Sequence, residues 1–336
     1  MDQIRRLNVL TFVDSNFVYP WIISANSLLK VSSVPLFVKI LCNDSLLISD
    51  RELMLATFES QSIELSFEEI PTLVAFPKST FWNEIVRAKI FAFIQNPFEN
   101  EPFVSFDVDT LVIENFESDL NIFLNSGKVL GAVPEPRTYK AFSDFFQLKK
   151  PTLYFNAGIL FVNTRTLNVE IFRRQCDFLI TNYKNFNFNC LEQDVLNIIF
   201  RNNYHVLPPG LNMHNETHNL TNDAFIHHYI WKVKPWRLRM NSMLRFCIIL
   251  IPGISPSLSR YFKYEDHFLR DLNQKLKSQV LESRNKTLIS TRKFSAAVIR
   301  DWFRPRSRFK KFFVSHKFDL DTWNEYRKRF DHSGFI

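Results

Sequence analysis

The sequence predicts an α/β fold in which helices flank a mixed, mostly parallel sheet. Over the first 236 residues, short apolar runs alternate with segments of helical periodicity, which is the pattern of consecutive βαβ units. The chain has 336 residues and is 46% apolar, so it can bury a large core. One apolar run, from Phe103 to Phe106, leads directly into two aspartates and reads as a buried strand.

The predicted elements follow in a regular order. Each predicted strand is a short, mainly apolar run, and each predicted helix has apolar residues at helical spacing. The strands are expected at residues 8–13, 36–41, 62–65, the run ending at Asp107, 129–133, 155–162 and 204–207. The helices are expected at residues 17–30, 50–59, 81–94, 169–183 and 192–200.

Composition excludes several classes of site. Only 6 residues are glycine and no glycine-rich phosphate loop occurs, so a Walker-type or Gly-x-Gly-x-x-Gly nucleotide site is not expected. The 4 cysteines are widely spaced, which favours free thiols over a zinc site or disulfides. The amino terminus lacks the apolar segment of a signal peptide, and no run reaches the roughly 18 apolar residues of a membrane span. We therefore expect a cytoplasmic protein.

Asp107 and Asp109 form the first candidate site. They follow a predicted buried strand, and open α/β sheets bind ligands at the carboxyl ends of their strands. Two carboxylates held together there are costly unless a cation neutralises them, and a hard divalent ion bound to phosphate does so. A strand end followed by a solvated turn explains the same residues without a ligand. The pair alone does not decide between these interpretations.

Four further patterns bear on the two aspartates. Each has a plain structural explanation, such as a helix cap, a structural histidine or a solvated lysine. Their occurrence in one chain and in this order points to a single ligand site. The patterns are Asp14 with Asn16 after the first strand, Asn156-Ala157-Gly158 entering a later strand where small residues admit a ligand, Glu192-Gln193-Asp194 opening a helix, and the segment from His228 through Lys234 to Trp236.

Together these motifs resemble the nucleotide-sugar glycosyltransferases of family 8, the group that contains glycogenin and bacterial lipopolysaccharide galactosyl- and glucosyltransferases. The resemblance covers about residues 8–236, and Phe155-Asn156-Ala157-Gly158-Ile159-Leu160 with Lys234-Pro235-Trp236 is its most specific part. It implies a single Rossmann-like domain of the GT-A type and a divalent metal, usually Mn²⁺, with Mg²⁺ as the alternative. It also implies a UDP-hexose donor, carrying galactose or glucose, and transfer with retention of anomeric configuration.

The resemblance implies a role for each candidate residue by its position in the motifs. Asp107, Asp109 and His228 would ligate the metal that bridges the diphosphate, so Asp107 would also take part in binding the donor. Asp14 and Asn16 would contact the uridine, Lys234 a phosphate, and Arg87 would hold the donor. Asn156, Glu192 and Gln193 would form the catalytic set around the hexose, with Gln193 nearest the reacting face.

Three residues depart from the family pattern. Trp231 stands close to the expected diphosphate position, where the family usually has glycine, and this predicts a remodelled loop or lower activity. Glu192 replaces the usual aspartate and is one methylene longer, which predicts a change in the choice of hexose. Glu135, between two prolines, stands where the family's sugar-binding acid is expected after the strand at 129–133.

The last hundred residues are strongly basic. Residues 237–336 contain 22 Lys+Arg and 9 Asp+Glu, a net charge of +13, whereas the first 236 contain 20 and 25, a net charge of −5. Residues 264–281 show helical amphipathicity, and aromatic residues alternate with cations between Trp302 and Phe313. We expect a basic, aromatic-rich helical extension that binds an anionic membrane surface. Packing of its apolar face on the main domain is the alternative, and nucleic acid is not expected as a partner.

The tail and the resemblance together predict a lipid-linked glycan acceptor, such as lipooligosaccharide, lipopolysaccharide or a capsule precursor, at the cytoplasmic face of the inner membrane. Two other classes stay open. Residues 106–111 also resemble the first motif of haloacid-dehalogenase-type phosphatases, in which Asp107 would accept the phosphoryl group and Asp109 would act as acid or base. A catalytically silent nucleotide-sugar or membrane-binding protein is the second, because of Trp231.

Overall fold

A computed structural model describes residues 4–70, 84–95, 97–135, 153–186, 188, 190–201, 203–214, 224–230, 234–237, 256–289 and 319–330. Its strands are β1 (Leu7–Val13), β2 (Leu36–Cys42), β3 (Ile63–Glu69), β4 (Phe103–Phe106), β5 (Thr110–Val112), β6 (Leu130–Pro134), β7 (Phe155–Val162), β8 (His205–Val206), β9 (Met213–His214) and β10 (Ile226–His228). Its α-helices are α1 (Val18–Val31), α2 (Ile48–Thr57), α3 (Glu84–Gln95), α4 (Glu117–Asn125), α5 (Val169–Thr181), α6 (Tyr183–Phe186), α7 (Leu191–Ile199), α8 (Pro256–Asp271), α9 (Gln274–Ile289) and α10 (Leu320–Phe330).

The main sheet of the described residues has seven strands in the order β3-β2-β1-β4-β7-β6-β8. All neighbours are parallel except at β7, which runs antiparallel to both β4 and β6. The carboxyl ends of β1, β4 and β6 therefore meet the amino end of β7 at one edge of the sheet. Residues that follow β1, β4 and β6 therefore lie at the same edge as the first residues of β7.

A second sheet of three strands, in the order β5-β10-β9, lies beside this edge. β10 runs antiparallel to β5, and its register places His228 opposite Thr110. Because Thr110 directly follows Asp109, this pairing brings His228 to the two aspartates, 119 residues away along the chain from Asp109.

Apolar side chains are buried on both faces of the main sheet, as expected for a sheet covered by helices on both sides. Along β1, Val9 and Val13 belong to one core, whereas Leu10 and Phe12 belong to the other. The first core includes side chains from α1, α2, α4, α8 and α9, and the second includes side chains from α3, α5, α7 and α10. The predicted α/β class, with a mostly parallel sheet between helices and a helical carboxyl-terminal part, is confirmed.

Some predicted boundaries are wrong. The helix expected at 169–183 ends at Thr181, because Asn182 leaves the helical conformation and its side chain donates to the Phe178 carbonyl at 2.8 Å. The strand expected at 62–65 extends to Glu69, because β3 pairs with β2 along its whole length. For the helix expected at 81–94, residues 81–83 lie outside the described part of the chain.

The single amphipathic helix expected at 264–281 is also wrong. The chain forms α8 and α9, and the break is at Leu272 and Asn273. Asn273 caps the second helix, since its side chain accepts a hydrogen bond from the Leu276 N–H at 2.9 Å. Apolar side chains of both helices, including Phe262 and Val280, are buried in the first core, and Leu276 and Leu281 of α9 are half-buried against it. For this part of the extension, the structure has the apolar face packed on the main domain.

Within the described residues, no helix combines the length and the apolar character needed to cross a membrane. The predicted aromatic and basic segment between Trp302 and Phe313 lies outside the described residues, and so does Trp231. At the end of the chain, α10 packs on α5 and α6, with Trp323 and Tyr326 buried in the second core.

Candidate metal and donor site

The Asp107-Val108-Asp109 segment forms a tight connection between β4 and β5. The Asp107 N–H donates to the Gly158 carbonyl at 2.8 Å, which continues the pairing of β4 with β7. The Thr110 hydroxyl donates to the Asp107 carbonyl at 2.9 Å and lies 2.8 Å from the Ser24 hydroxyl of α1. Backbone and hydroxyl contacts thus fix the segment that presents the two carboxylates.

His228 completes a three-residue cluster with these aspartates. Its Nε2 lies 3.1 Å from Asp109 Oδ1 and 3.7 Å from Asp107 Oδ2. One ligand atom from each of the three residues can be chosen so that all lie within 4.8 Å of one another. Two carboxylates and an imidazole are a donor set that suits Mn²⁺ or a similar divalent cation.

A chain of hydrogen bonds sets the tautomer of His228. The Gly158 N–H donates to Asn156 Oδ1 at 2.8 Å, so this atom is the amide oxygen, and Asn212 Nδ2 donates to it at 3.1 Å. Asn212 Oδ1 then lies 2.9 Å from His228 Nδ1 and accepts a hydrogen bond from the Nδ1–H group. The Nε2 lone pair is left facing the carboxylate oxygens, which is the arrangement of a histidine that ligates a metal. The residues therefore fit a divalent cation.

Gly158 gives the imidazole its space. A Cβ atom at this position would lie 2.1 Å from His228 Cε1 and 2.6 Å from its Nδ1. The sequence pattern predicts that small residues here admit a ligand. In the structure, the side chain that lies against Gly158 is that of His228. A glycine is required at this position of the strand.

Two lysines neutralise the carboxylates. Lys89 of α3 is 4% exposed, and its Nζ lies 2.5 Å from Asp107 Oδ1 and donates to the Ala157 carbonyl at 2.8 Å. Lys234 Nζ donates hydrogen bonds to Asp109 Oδ2 and to the Tyr229 carbonyl. Burial opposes ionisation of Asp109, but the charge of Lys234 and its hydrogen bond to the carboxylate outweigh burial and hold the pKa of Asp109 well below the usual range. Burial would lower the pKa of Lys89, yet Asp107 and Glu192 raise it.

The amino-terminal turn of α7 brings Glu192 and Gln193 to the same edge. Gln193 Oε1 accepts from the Ala157 N–H at 2.9 Å, and its Nε2 donates to the Tyr154 hydroxyl at 2.8 Å. Glu192 is 7% exposed, and its Oε2 has no hydrogen-bond partner among the described residues. Burial raises the pKa of Glu192 to about 7, against the opposing charge of Lys89.

Asn156 and Glu135 lie next to each other at this edge. Glu135 follows β6 and Asn156 belongs to β7, and Asn156 Nδ2 donates to Glu135 Oε1 at 3.0 Å. Both side chains are buried. The acid expected after the strand at 129–133 is thus close to the other candidate residues.

Asp14 and Asn16 follow β1, next to β4 in the sheet. Asp14 Oδ1 accepts from the Asn16 N–H at 2.8 Å, which forms an Asx turn. Asp14 is buried, whereas Asn16 is exposed. Arg87 lies in α3, two residues before Lys89, and its side chain is outside the described part of the structure.

The model of Glycosyl transferase family 8 matches residues 8–239, more than half of the chain. The chain belongs to glycosyltransferase family 8. Its fold is similar to that of the GT-A galactosyltransferase LgtC in complex with donor and acceptor sugar analogues, with 14% identity and a TM-score of 0.62 over 81% of this chain and 99% of that one. Mouse xyloside xylosyltransferase 1 in its apo form has 14% identity and a TM-score of 0.51, over 67% of this chain and 97% of that one. GlyE of Streptococcus pneumoniae TIGR4 has 17% identity and a TM-score of 0.54, over 85% and 64%. A search of curated protein sequences finds no match.

In this family 8 glycosyltransferase, sequence reasoning missed several residues at the site. Lys89 could have been noticed in the sequence, since it is a cation in a helix that otherwise buries apolar side chains. Its contact with Asp107, however, is visible only in the folded structure. Asn212 and Tyr154 have no local signal. Asn212 precedes β9 and acts through its contact with His228, and Tyr154 joins Gln193 to Asp194.

Proposed function

We propose that this glycosyltransferase transfers galactose or glucose from a UDP-sugar to a glycan acceptor, with a divalent metal and with retention of anomeric configuration. The observation that carries this proposal is the cluster of Asp107, Asp109 and His228, in which the imidazole Nε2 faces two carboxylates. The family match is consistent with it, since residues 8–239 include all three.

Asp107, Asp109 and His228 are the proposed ligands of Mn²⁺, with Mg²⁺ as the alternative. A metal bound there would supply positive charge to the diphosphate as UDP departs. Lys234 and Arg87 are the proposed cationic partners of the departing group, and Lys234 Nζ already lies against Asp109. Asp14 and Asn16 are the proposed contacts of the uridine, from the neighbouring strand end.

The proposed hexose contacts are Asn156, Glu192 and Gln193. Retaining transfer makes the hexose resemble an oxocarbenium ion, so polar groups that do not compete as nucleophiles suit its surroundings. Gln193 meets this requirement and is held by two hydrogen bonds. Glu192 offers a buried oxygen with no partner among the described residues, and its raised pKa suits a carboxyl that exchanges a hydrogen bond with a sugar hydroxyl. Asn156 is tied to Glu135, so the two would act together.

A panel of UDP-hexoses tests this proposal through UDP release, measured with and without Mn²⁺. We expect release from at least one donor that requires the metal and is lost in Asp109→Asn. The matched control is Glu101→Gln, which alters an exposed carboxylate paired with Arg165 and should keep full activity. Release of phosphate from phosphoesters without UDP release would contradict the proposal and favour the phosphatase alternative.

We further propose that residues 1–236 carry the catalytic site and that residues 237–336 bring it to an anionic membrane, at the cytoplasmic face of the inner membrane, where the acceptor is lipooligosaccharide, lipopolysaccharide or a capsule precursor. Because the apolar faces of α8 and α9 are buried, the membrane contact is assigned to the aromatic and basic segment between Trp302 and Phe313.

Co-sedimentation with liposomes tests the membrane contact. Binding should rise with the fraction of anionic lipid and fall with added salt, since exposed charges are screened. Replacing Phe309, Phe312 and Phe313 by serine should weaken binding without loss of UDP release. Equal binding by this triple variant and the wild type would contradict the assignment.

A further inference from the structure

The two helices of the basic extension that follow residue 255 lie against the candidate site as well as the core. α9 packs on α1, and α8 contacts α1 through side-chain hydrogen bonds. The first residue of α1, Val18, follows the Asp14–Asn16 turn after Phe17. The contacts with α1 are polar and partly buried. The Tyr19 hydroxyl donates a hydrogen bond to Glu265, which is fully buried, and Asn26 Nδ2 donates to the Tyr264 hydroxyl at 2.6 Å. The Arg284 guanidinium lies 3.7 Å from Glu265.

Thr287 of α9 reaches the turn that precedes α1. Its hydroxyl donates to the Asn16 carbonyl at 3.0 Å and is shared with the Ser283 carbonyl at 3.2 Å. Thr287 is only 1% exposed, so water does not compete for this bond. The turn is then held on both sides, by Asp14 at the Asn16 N–H and by Thr287 at the Asn16 carbonyl. The Asn16 side chain is left at the surface, where a nucleoside would meet it.

Arg260 of α8 reaches the strand that carries His228. Its Nη1 lies 3.1 Å from Nε2 of His227, which is 2% exposed, and donates to this nitrogen. Adjacent side chains on a strand point to opposite faces, so Arg260 holds β10 from the side away from the aspartates. His228 is fixed on its own side by Asn212. The metal-binding imidazole therefore belongs to a strand anchored on both faces.

We propose that α8 and α9 support the donor site by positioning two of its elements. Arg260 positions the metal ligand His228 through His227. Thr287 positions the Asp14–Asn16 turn, the proposed nucleoside contact, through the Asn16 backbone. The inference rests on the proposed function. Neither residue touches the metal or the donor in this account, and both act by limiting the movement of groups that do. The two effects are separable, because one residue acts on the metal strand and the other on the nucleoside turn.

Binding measurements on the full-length protein test the two roles. Mn²⁺ affinity is measured by calorimetry without nucleotide, and UDP affinity is measured at saturating Mn²⁺. Arg260→Met should lower Mn²⁺ affinity about tenfold, in the lower range for partners that orient a metal ligand, and Arg260→Lys should recover part of the loss. Thr287→Val, which has the same shape, should lower UDP affinity and leave Mn²⁺ affinity unchanged. Asp271→Asn, which breaks the exposed contact of α8 with Lys30, is the matched control and should change neither.

The outcomes separate this inference from the proposed function. Wild type that binds neither Mn²⁺ nor UDP overturns both. Wild type that binds both ligands, with Arg260→Met and Thr287→Val binding equally well, overturns the inference alone. Equal loss of both affinities in each variant also overturns it, since that is the effect of general loosening. Urea unfolding of each variant measures its stability, so that a change in affinity is interpreted only for a variant that is folded under the conditions of the binding measurement.

Discussion

Single residues explain why the cluster at the sheet edge suits a metal. His228 faces Asp109 through Nε2 because its Nδ1–H donates a hydrogen bond to Asn212, and Asn212 is oriented by Asn156. An imidazole lone pair that faces two carboxylates is an electrostatic conflict without a cation between them. Lys89 and Lys234 reduce that conflict by pairing with Asp107 Oδ1 and Asp109 Oδ2, the carboxylate oxygens other than those nearest His228 Nε2.

Gly158→Ala should abolish Mn²⁺ binding, because the added Cβ would occupy the space of the His228 ring. Calorimetry with Mn²⁺ measures the effect. Gly127→Ala is the control: its φ of 67° is unfavourable for alanine, but a Cβ there meets nothing within 4 Å. The control should lose about 1–2 kcal/mol of stability and keep its metal affinity. Unchanged Mn²⁺ affinity in Gly158→Ala would contradict the placement of His228.

Glu192 should make the protein less stable as pH rises. Its pKa is about 7 in the folded state and near 4.5 when unfolded, so the protonated carboxyl contributes stability that is complete below pH 4.5 and is lost as pH rises through 7. Since one pKa unit corresponds to about 1.4 kcal/mol, the loss amounts to about 3 kcal/mol. Glu192→Gln lacks this contribution.

Urea unfolding of both proteins at pH 5 and pH 8 isolates the effect of Glu192, because the other titrating groups are common to the two. The stability of the wild type should fall more between these pH values than that of Glu192→Gln. Parallel pH profiles of the two proteins would show that the carboxyl is ionised in the folded state despite its burial.

At the level of elements, α8 and α9 of the extension contribute to the first core. Phe262 of α8 is buried in the first core. Phe262→Ala should therefore destabilise the protein by about 3–5 kcal/mol. Lys275→Ala, an exposed change on α9, should cost less than about 0.5 kcal/mol. The free energy of unfolding in urea measures both, and a small loss in Phe262→Ala would mean that α8 contributes little to the fold.

The sequence predicted most elements correctly because apolar periodicity is local. It was wrong where a polar side chain interrupts a periodic segment: Asn182 ends α5, and Asn273 separates α8 from α9. The amphipathic pattern at 264–281 does not reveal what covers the apolar face. A membrane and the protein's own core both bury such a face, and only the tertiary contacts of α8 and α9 assign it to the core.

Considered as a whole, the molecule assembles its candidate site from segments far apart in the chain. Asp14, Asp107 and Asn156 were found from sequence because each lies at the end or the start of a recognisable strand. Lys89 and Asn212 were not found from sequence, because their roles depend on tertiary contacts. Lys89 contacts Asp107, 18 residues later in the chain, and Asn212 contacts His228, 16 residues later. The reversed direction of β7 was not predicted either, although it brings Asn156 and Gly158 to the edge where β4 ends.

Asp107, Asp109 and His228 are proposed to bind a metal together with the donor diphosphate. Calorimetric titration of UDP into the protein, with and without Mn²⁺, tests this claim. We predict that Mn²⁺ strengthens UDP binding at least tenfold in the wild type and has no such effect in His228→Ala or Asp109→Asn. Equal UDP affinity with and without Mn²⁺ in the wild type, or the same strengthening in both variants, would contradict the claim.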